Sequence, residues 1–329
     1  MARARKPADV NALVGIDKPV GMTSHDVVAR VRRAVGERRV GHAGTLDPMA
    51  SGVMVVGIGQ ATRLLGMLTL DTKSYVAEIA FGAETNTDDA EGEVTRRAAC
   101  PAELADGGFA RRVLAGFLGE GEQVPPAFSA ISVNGVRSYK RARAGEAVEL
   151  PARPVTVTDA TLLNVTFGDV PHREPDESFG DVPLSAHPAP AAVSWTVSFT
   201  VSKGTYIRAL ARDIGRAAGS AAHVAALRRT ASGSVTLADC LTLDGVSPEV
   251  VRARALDPVR ALGLPMVEVD EAALADIACG RAVPAAGVPA GASRVSLAHA
   301  GSLAAIACPD SRGSLAMETV FPQMIEGIR

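Results

Sequence analysis

Apolar residues recur with a helical period over Ser24–Val35, where Val27, Val28, Val31 and Val35 share one face. Ser24 can cap this helix and Gly36 stops it. Residues 109–118 read as a second helix, closed off before the Pro125-Pro126 pair. Residues 205–218 read as a third, with Ile207, Leu210, Ala211 and Ile214 on one side. A short basic helix or loop is expected at 137–145. Elsewhere the period is that of strands. Residues 51–59 hold the apolar run Val53-Met54-Val55-Val56, which suits a buried strand. Tyr75, Ala77, Ile79 and Phe81 alternate with Val76, Glu78 and Ala80, predicting a half-buried strand. Val193–Val201 alternates again, and 227–235 reads as a turn into a strand.

Two stretches lack either period. Residues 83–106 are acidic and read as surface loop. Residues 167–189, FGDVPHREPDESFGDVPLSAHPA, hold many prolines and acids and read as an exposed insertion. Past Pro258, short β-like runs at 267–269, 293–297 and 303–307 are broken by Gly and Pro. The expected organisation is a large unit over 1–262 and a small β-rich unit over 266–329.

Composition narrows the function. The 329 residues are 47% hydrophobic and 21% charged, with mean hydropathy +0.16, enough apolar side chain for an ordered core. Apolar runs of transmembrane length and a secretory signal pattern are missing. Cys100, Cys240, Cys279 and Cys308 are scattered, so no metal site is expected and reduced thiols in a cytoplasm fit best. Phosphate-loop, dinucleotide, zincin and serine-esterase motifs are absent. The formal charge of -2 opposes a nucleic-acid partner, but its distribution does not. Residues 1–66 hold ten Lys+Arg against five Asp+Glu, and residues 193–233 hold six against Asp213 alone. If these segments face one cleft, RNA meets a positive surface.

The chemistry concentrates at 40–53, VGHAGTLDPMASGV. Gly41 and Gly44 permit a tight loop and close approach of a ligand. Pro48 pushes Asp47 toward extended geometry, so its carboxylate projects from a stiff turn, anchored by the apolar strand that follows. An Asx-turn without chemistry gives the same local pattern. Arg208, with Arg212 and Arg216, equally reads as a solvated stripe on a helix. Tyr75 equally reads as a core tyrosine.

Six segments in order change that balance: DKPVGMTS at 17–24, GHAGTLDP at 41–48, TKSY at 72–75, VPPAFSA at 124–130, SKGTYIR at 202–208 and LRRT-x-x-G at 227–233. Together they resemble the TruB family, bacterial tRNA pseudouridine synthases that modify uridine 55 in the T-loop. The resemblance spans about residues 14–243. It implies an α+β pseudouridine synthase fold: a central mixed, largely antiparallel β-sheet flanked by helices. By position and β character, 266–329 resembles the small PUA-like RNA-binding domain of such enzymes. The implied catalytic residues are Asp47 as nucleophile, Arg208 as its ion-pair partner and Tyr75 stacking on the target base. Tyr206, His42, Lys18 and Lys203 are the implied substrate-binding residues, with Lys18 supporting the Asp47 loop. The resemblance implies a cytoplasmic, monomeric enzyme acting on the tRNA T-arm without cofactor, metal, guide RNA or membrane. Many family members carry Tyr where Phe128 stands and Lys where Ser132 stands, so RNA contacts there differ. Two alternatives remain: a tRNA-folding or RNA-binding protein without catalysis, and the guide-RNA-dependent branch of the superfamily. The chain lacks the lysine-rich tail frequent in that branch.

Overall fold

The computed structural model describes residues 9–69, 72–129, 131–133, 135–146, 150–167 and 193–329. Apart from Phe167, the stretch read as an insertion lies outside them. Among the described residues, fifteen strands join one sheet. From Ala12–Lys18 to one edge it runs Ala12–Lys18, Ala50–Ile58, Ala222–Ser232, Lys73–Phe81, Val193–Val201, Arg153–Phe167, Gly119–Gln123. All neighbours in this path are antiparallel except Ala50–Ile58 and Ala222–Ser232, which run parallel. The sheet is therefore mixed and largely antiparallel, as expected. Strand Lys73–Phe81 lies between two neighbours and is covered on both faces, so even Glu78 is buried and the half-buried reading is corrected. Its carboxylate accepts a hydrogen bond from Ser194 Oγ at 3.0 Å.

Residues 227–235 are not a turn into a strand. The strand begins earlier, at Ala222, and bulges twice to serve two neighbours. Its alanine-rich start lacks β propensity, and burial between two strands overrides that. Gly119–Gln123 and the long Arg153–Phe167 strand escaped sequence reading altogether.

Helix Ser24–Val35 has the predicted bounds and ends on Gly36 at φ 66°, a left-handed cap suited to glycine. Its cap is Thr23, in a reciprocal box with Asp26, rather than Ser24. The hydroxyl of Ser24 is buried and used elsewhere. The second and third helices run Gly107–Ala115 and Ile207–Ala217.

Residues 83–106 are a surface loop only in part. Ala83–Thr85 and Val94–Arg97 pair as a hairpin, and Glu84, Thr85, Asp88 and Asp89 are all buried. The C-terminal strands extend the same sheet: Glu326 pairs with Ala12, and the order continues outward to Met266–Glu268. This region keeps a core of its own around Ile277, Val295, Leu297 and Leu315. It also contributes Leu303, Ile306, Phe321 and Ile325 to a cluster with Leu13, Val53, Val55 and Leu64.

Candidate active site

Asp47 sits where the loop after strand Val40–Ala43 turns into strand Ala50–Ile58. Its carbonyl accepts from Ala50 N at 3.1 Å, closing the turn that Pro48 stiffens. Three anchors hold this loop. Ser24 Oγ donates to Leu46 O at 3.0 Å and accepts from Leu46 N at 2.9 Å. Lys18, buried, donates to the carbonyls of Pro19, Met22 and Pro48 at 2.8, 2.7 and 3.4 Å. Burial pushes its ammonium down to about 8, against the opposing pull of Asp47. From beneath, Arg229 donates to Val53 O at 2.6 Å, Gly44 O at 3.2 Å and Thr45 O at 3.4 Å. This requires strand Ala222–Ser232 to press against Ala50–Ile58. Gly52, at φ 104°, allows it: a Cβ there would lie 2.1 Å from Arg229 O.

The helix Ile207–Ala217 supplies the cation. Arg208 Nε lies 2.9 Å from Asp47 Oδ2. Its N–H is not aimed at that oxygen and makes no hydrogen bond, so the contact is an ion pair. The guanidinium is fixed by its other nitrogens: Nη1 donates to Thr87 O at 2.6 Å and meets Asp89 Oδ2 at 3.3 Å, and Nη2 donates to Phe128 O at 3.0 Å. Asp47 is thus one of two carboxylates sharing a buried arginine. It is 36% exposed, while Asp89 is 6% exposed, so Asp47 faces the open side. Burial raises the Asp89 carboxyl above its usual range.

Arg212 and Arg216 do not form a solvated stripe. Arg212 Nη1 donates to Asp88 Oδ2 at 2.9 Å and Nη2 to Val124 O at 2.9 Å. Arg216 forks onto both oxygens of Glu84 at 2.9 and 2.8 Å, and Arg96 joins Glu84 at 2.7 Å. These bonds hold the Glu84 carboxyl down at about 2, whereas burial pushes Asp88 up to about 6. Arginines one turn apart therefore meet the acids of the hairpin, a ladder whose first rung is the Arg208 pair.

A cavity of about 290 Å³ opens over that rung, lined by Asp47, Tyr75, Tyr206 and Arg208 together with Lys73, Phe128 and Arg229. Tyr75 lies on strand Lys73–Phe81, opposite Arg229 in the register, and is buried. Gln123 clamps the Tyr206 backbone on both sides, accepting from its N–H at 2.8 Å and donating to its carbonyl at 3.1 Å. Burial raises the Tyr206 hydroxyl above the usual phenol range.

The other predicted residues lie outside the cavity lining. Lys18 supports the loop from behind. His42 packs edge-on to His25 with ring centres 6.0 Å apart, and burial keeps its imidazole below the usual range. Lys203 is exposed, though its neighbours Ser202 and Gly204 line the cavity. Sequence reading missed Asp89, Lys73 and Arg229 as site residues. Arg229 was within reach as part of the LRRT segment, and three arginines spaced by four call for acids nearby.

The family model described as "TruB family pseudouridylate synthase (N terminal domain)" matches residues 32–207. The chain belongs to the TruB family. The TruB C-terminal model, "tRNA pseudouridylate synthase B C-terminal domain", matches residues 208–268, so Arg208 opens the second matched region. Among curated TruB relatives is the tRNA pseudouridine synthase B of Thermobifida fusca (strain YX), 49% identical over 73% of this chain and 75% of that protein. The protein of the same name from Arthrobacter sp. (strain FB24) is 44% identical over 93% of this chain and 91% of its own. A solved Cbf5–Nop10–Gar1 complex aligns at TM-score 0.62 and 26% identity, covering 94% of this chain and 84% of that one. The Cbf5 chain of an archaeal box H/ACA sRNP Nop10–Cbf5 complex aligns at TM-score 0.60 and 23% identity, over 94% of this chain and 85% of that one. The second likeness shows that this chain shares its fold.

Proposed function

We propose that this chain isomerises uridine 55 in the T-loop of tRNA to pseudouridine, acting on the bare RNA without a guide. The reading is carried by the Arg208–Asp47 ion pair at the floor of a cavity walled by Tyr75. Isomerisation cleaves the N1–C1′ bond, turns the base and rejoins it through C5. The uridine keeps all its heavy atoms: C5 gives up its proton once the C1′–C5 bond has formed, and the freed N1 takes one up. The site must therefore supply a nucleophile, an opposing charge, a binding wall and a path for that proton.

The cavity lies at the small end of ligand pockets, which suits one nucleotide taken out of the stack. Tyr75 offers it an aromatic face, offsetting about 1–3 kcal/mol of unstacking. Asp47 acts as the nucleophile. Arg208, fixed by Thr87, Asp89 and Phe128, sets an opposing charge 2.9 Å from the carboxylate and holds it in place. Tyr206 completes the wall, and Lys18 holds the loop rather than taking part in chemistry. His42 and Lys203 act at the rim, on RNA around the target. Residues 266–329 form a PUA-like unit of a monomeric cytoplasmic enzyme.

Asp47→Asn tests the reading on a T-arm stem-loop with the purified chain alone. Pseudouridine formation falls on the order of 10⁴-fold while RNA affinity stays within a few-fold. Undiminished product from this variant would remove Asp47 from the chemistry. Product that requires an added guide RNA would place the chain in the guide-dependent branch.

A further inference from the structure

A second cavity, about 400 Å³, opens at the hairpin that follows strand Ala222–Ser232. Ser234, Asp239, Arg254, Asp257, Arg260 and Arg329 line it. Its acids are committed within the fold. Asp257 caps helix Pro258–Leu262, accepting from Val259 N at 2.8 Å and Arg260 N at 3.1 Å. Asp239 accepts from Thr236 N at 2.8 Å and Thr236 Oγ1 at 2.9 Å. Arg329 spends one amino group on Ala253 O at 2.5 Å. Arg254 and Arg260 differ from the arginines of the ladder. Both are exposed, and among the described residues their guanidiniums have no carboxylate partner.

The position of this cavity relates it to the first. Arg229 lines the uridine cavity and Ser234, five residues further along the same chain, lines this one. At about 3.3 Å per residue, five residues span no more than ~16 Å, and the hairpin shortens that. Gly233 N donates to Thr72 O at 2.9 Å, so the turn stays beside Thr69 and Lys73, which also belong to the first cavity. The two openings lie at one end of one strand and share no lining residue.

We propose that Arg254 and Arg260 form a phosphate subsite that holds the RNA backbone near the target uridine. Guanidinium forks suit phosphate oxygens, and the three arginines of the lining outnumber its two aspartates, so the side chains there sum to a net positive charge. The subsite positions and attracts RNA and takes no part in bond-making. It rests on the reading of RNA as substrate.

The test compares wild type with Arg254→Gln/Arg260→Gln, binding an unmodified tRNA transcript between 50 and 300 mM salt. The magnitude of the slope of log K against log salt falls by about 1.4–1.8 in the variant, two phosphate contacts' worth. The single-turnover rate at saturating tRNA stays within two-fold of wild type. Arg254→Lys/Arg260→Lys retains most of the slope, which a purely structural role would not predict. Each single Gln variant shows about half of the double variant's decrease, roughly 0.7–0.9. An unchanged slope in the double Gln variant overturns the proposal. So does a thermal shift by inorganic phosphate that the variant loses while its tRNA slope stays whole, which would mark a small-anion site instead. An arginine-dependent slope in a protein that makes no pseudouridine leaves this subsite standing and removes the catalytic reading.

Discussion

Arg229 is 1% exposed, and every hydrogen bond it makes in the described structure goes to a main-chain carbonyl. A buried guanidinium without a carboxylate is costly, and an apolar side chain of similar volume would serve stability as well or better. Its place is explained by what it holds: the carbonyls of Gly44 and Thr45, just before Asp47. Arg229→Met is therefore expected to leave unfolding free energy within about 2 kcal/mol of wild type. Turnover falls on the order of 10²-fold, because the Asp47 loop loses its lower anchor. Urea denaturation and single-turnover kinetics separate the two effects. A variant equally active, or one unfolded outright, would assign Arg229 to the fold alone.

The arginine helix and the acidic character of 83–106 were each legible, but the hairpin within that stretch and its pairing with the helix were not. Helical spacing placed Arg208, Arg212 and Arg216 on one side, and composition marked 83–106 as acidic. Nothing local says that the two meet, and acids without an apolar period read as solvated. The same limit hid the first half of strand Ala222–Ser232, whose alanines become β only between two partners. The rungs carry opposite pH signatures. Glu84, depressed to about 2 from 4.5, stabilises the fold above pH 4.5, and that stability is lost as pH falls toward 2. Asp88, raised to about 6 from 3.8, binds its proton more tightly when folded, so stability declines as pH rises from about 4 to 6. Glu84→Gln should cost about 2 kcal/mol at pH 7 and flatten the acid limb of a stability–pH curve below 4.5. Asp88→Asn should flatten the segment between 4 and 6 instead. Parallel curves for wild type and both variants would refute this assignment.

At the scale of the molecule, the expected route from charge to RNA needs revision. Of the basic residues at 193–233, Arg208, Arg212, Arg216 and Arg228 are paired with carboxylates and Arg229 with carbonyls, leaving Lys203 exposed. That segment builds the site rather than attracting RNA. The residues singled out by the motifs nevertheless meet, since Asp47, Tyr75, Tyr206 and Arg208 come from three separate segments and line one cavity. The C-terminal region was legible as β-rich but not as part of the common sheet, because one backbone pair and a shared apolar cluster leave no periodic mark. Removing 266–329 takes Leu303, Ile306, Phe321 and Ile325 from beneath Leu13, Val53 and Leu64. At about 2–5 kcal/mol for each large side chain, the loss matches a whole domain's stability. The truncated chain is expected to show no cooperative thermal transition; a wild-type midpoint would mean the cluster is dispensable. The order of the sheet also sets a clock on synthesis. Strand Ala12–Lys18 can pair with Ala50–Ile58 early, but its other edge waits for Cys240–Thr242 and then Glu326. At 5–20 residues per second, that edge stays open on the ribosome for about 10–40 s before Cys240 is made. During that interval the nascent chain carries an unsatisfied apolar strand, the kind of surface that chaperones recognise and neighbouring chains can capture.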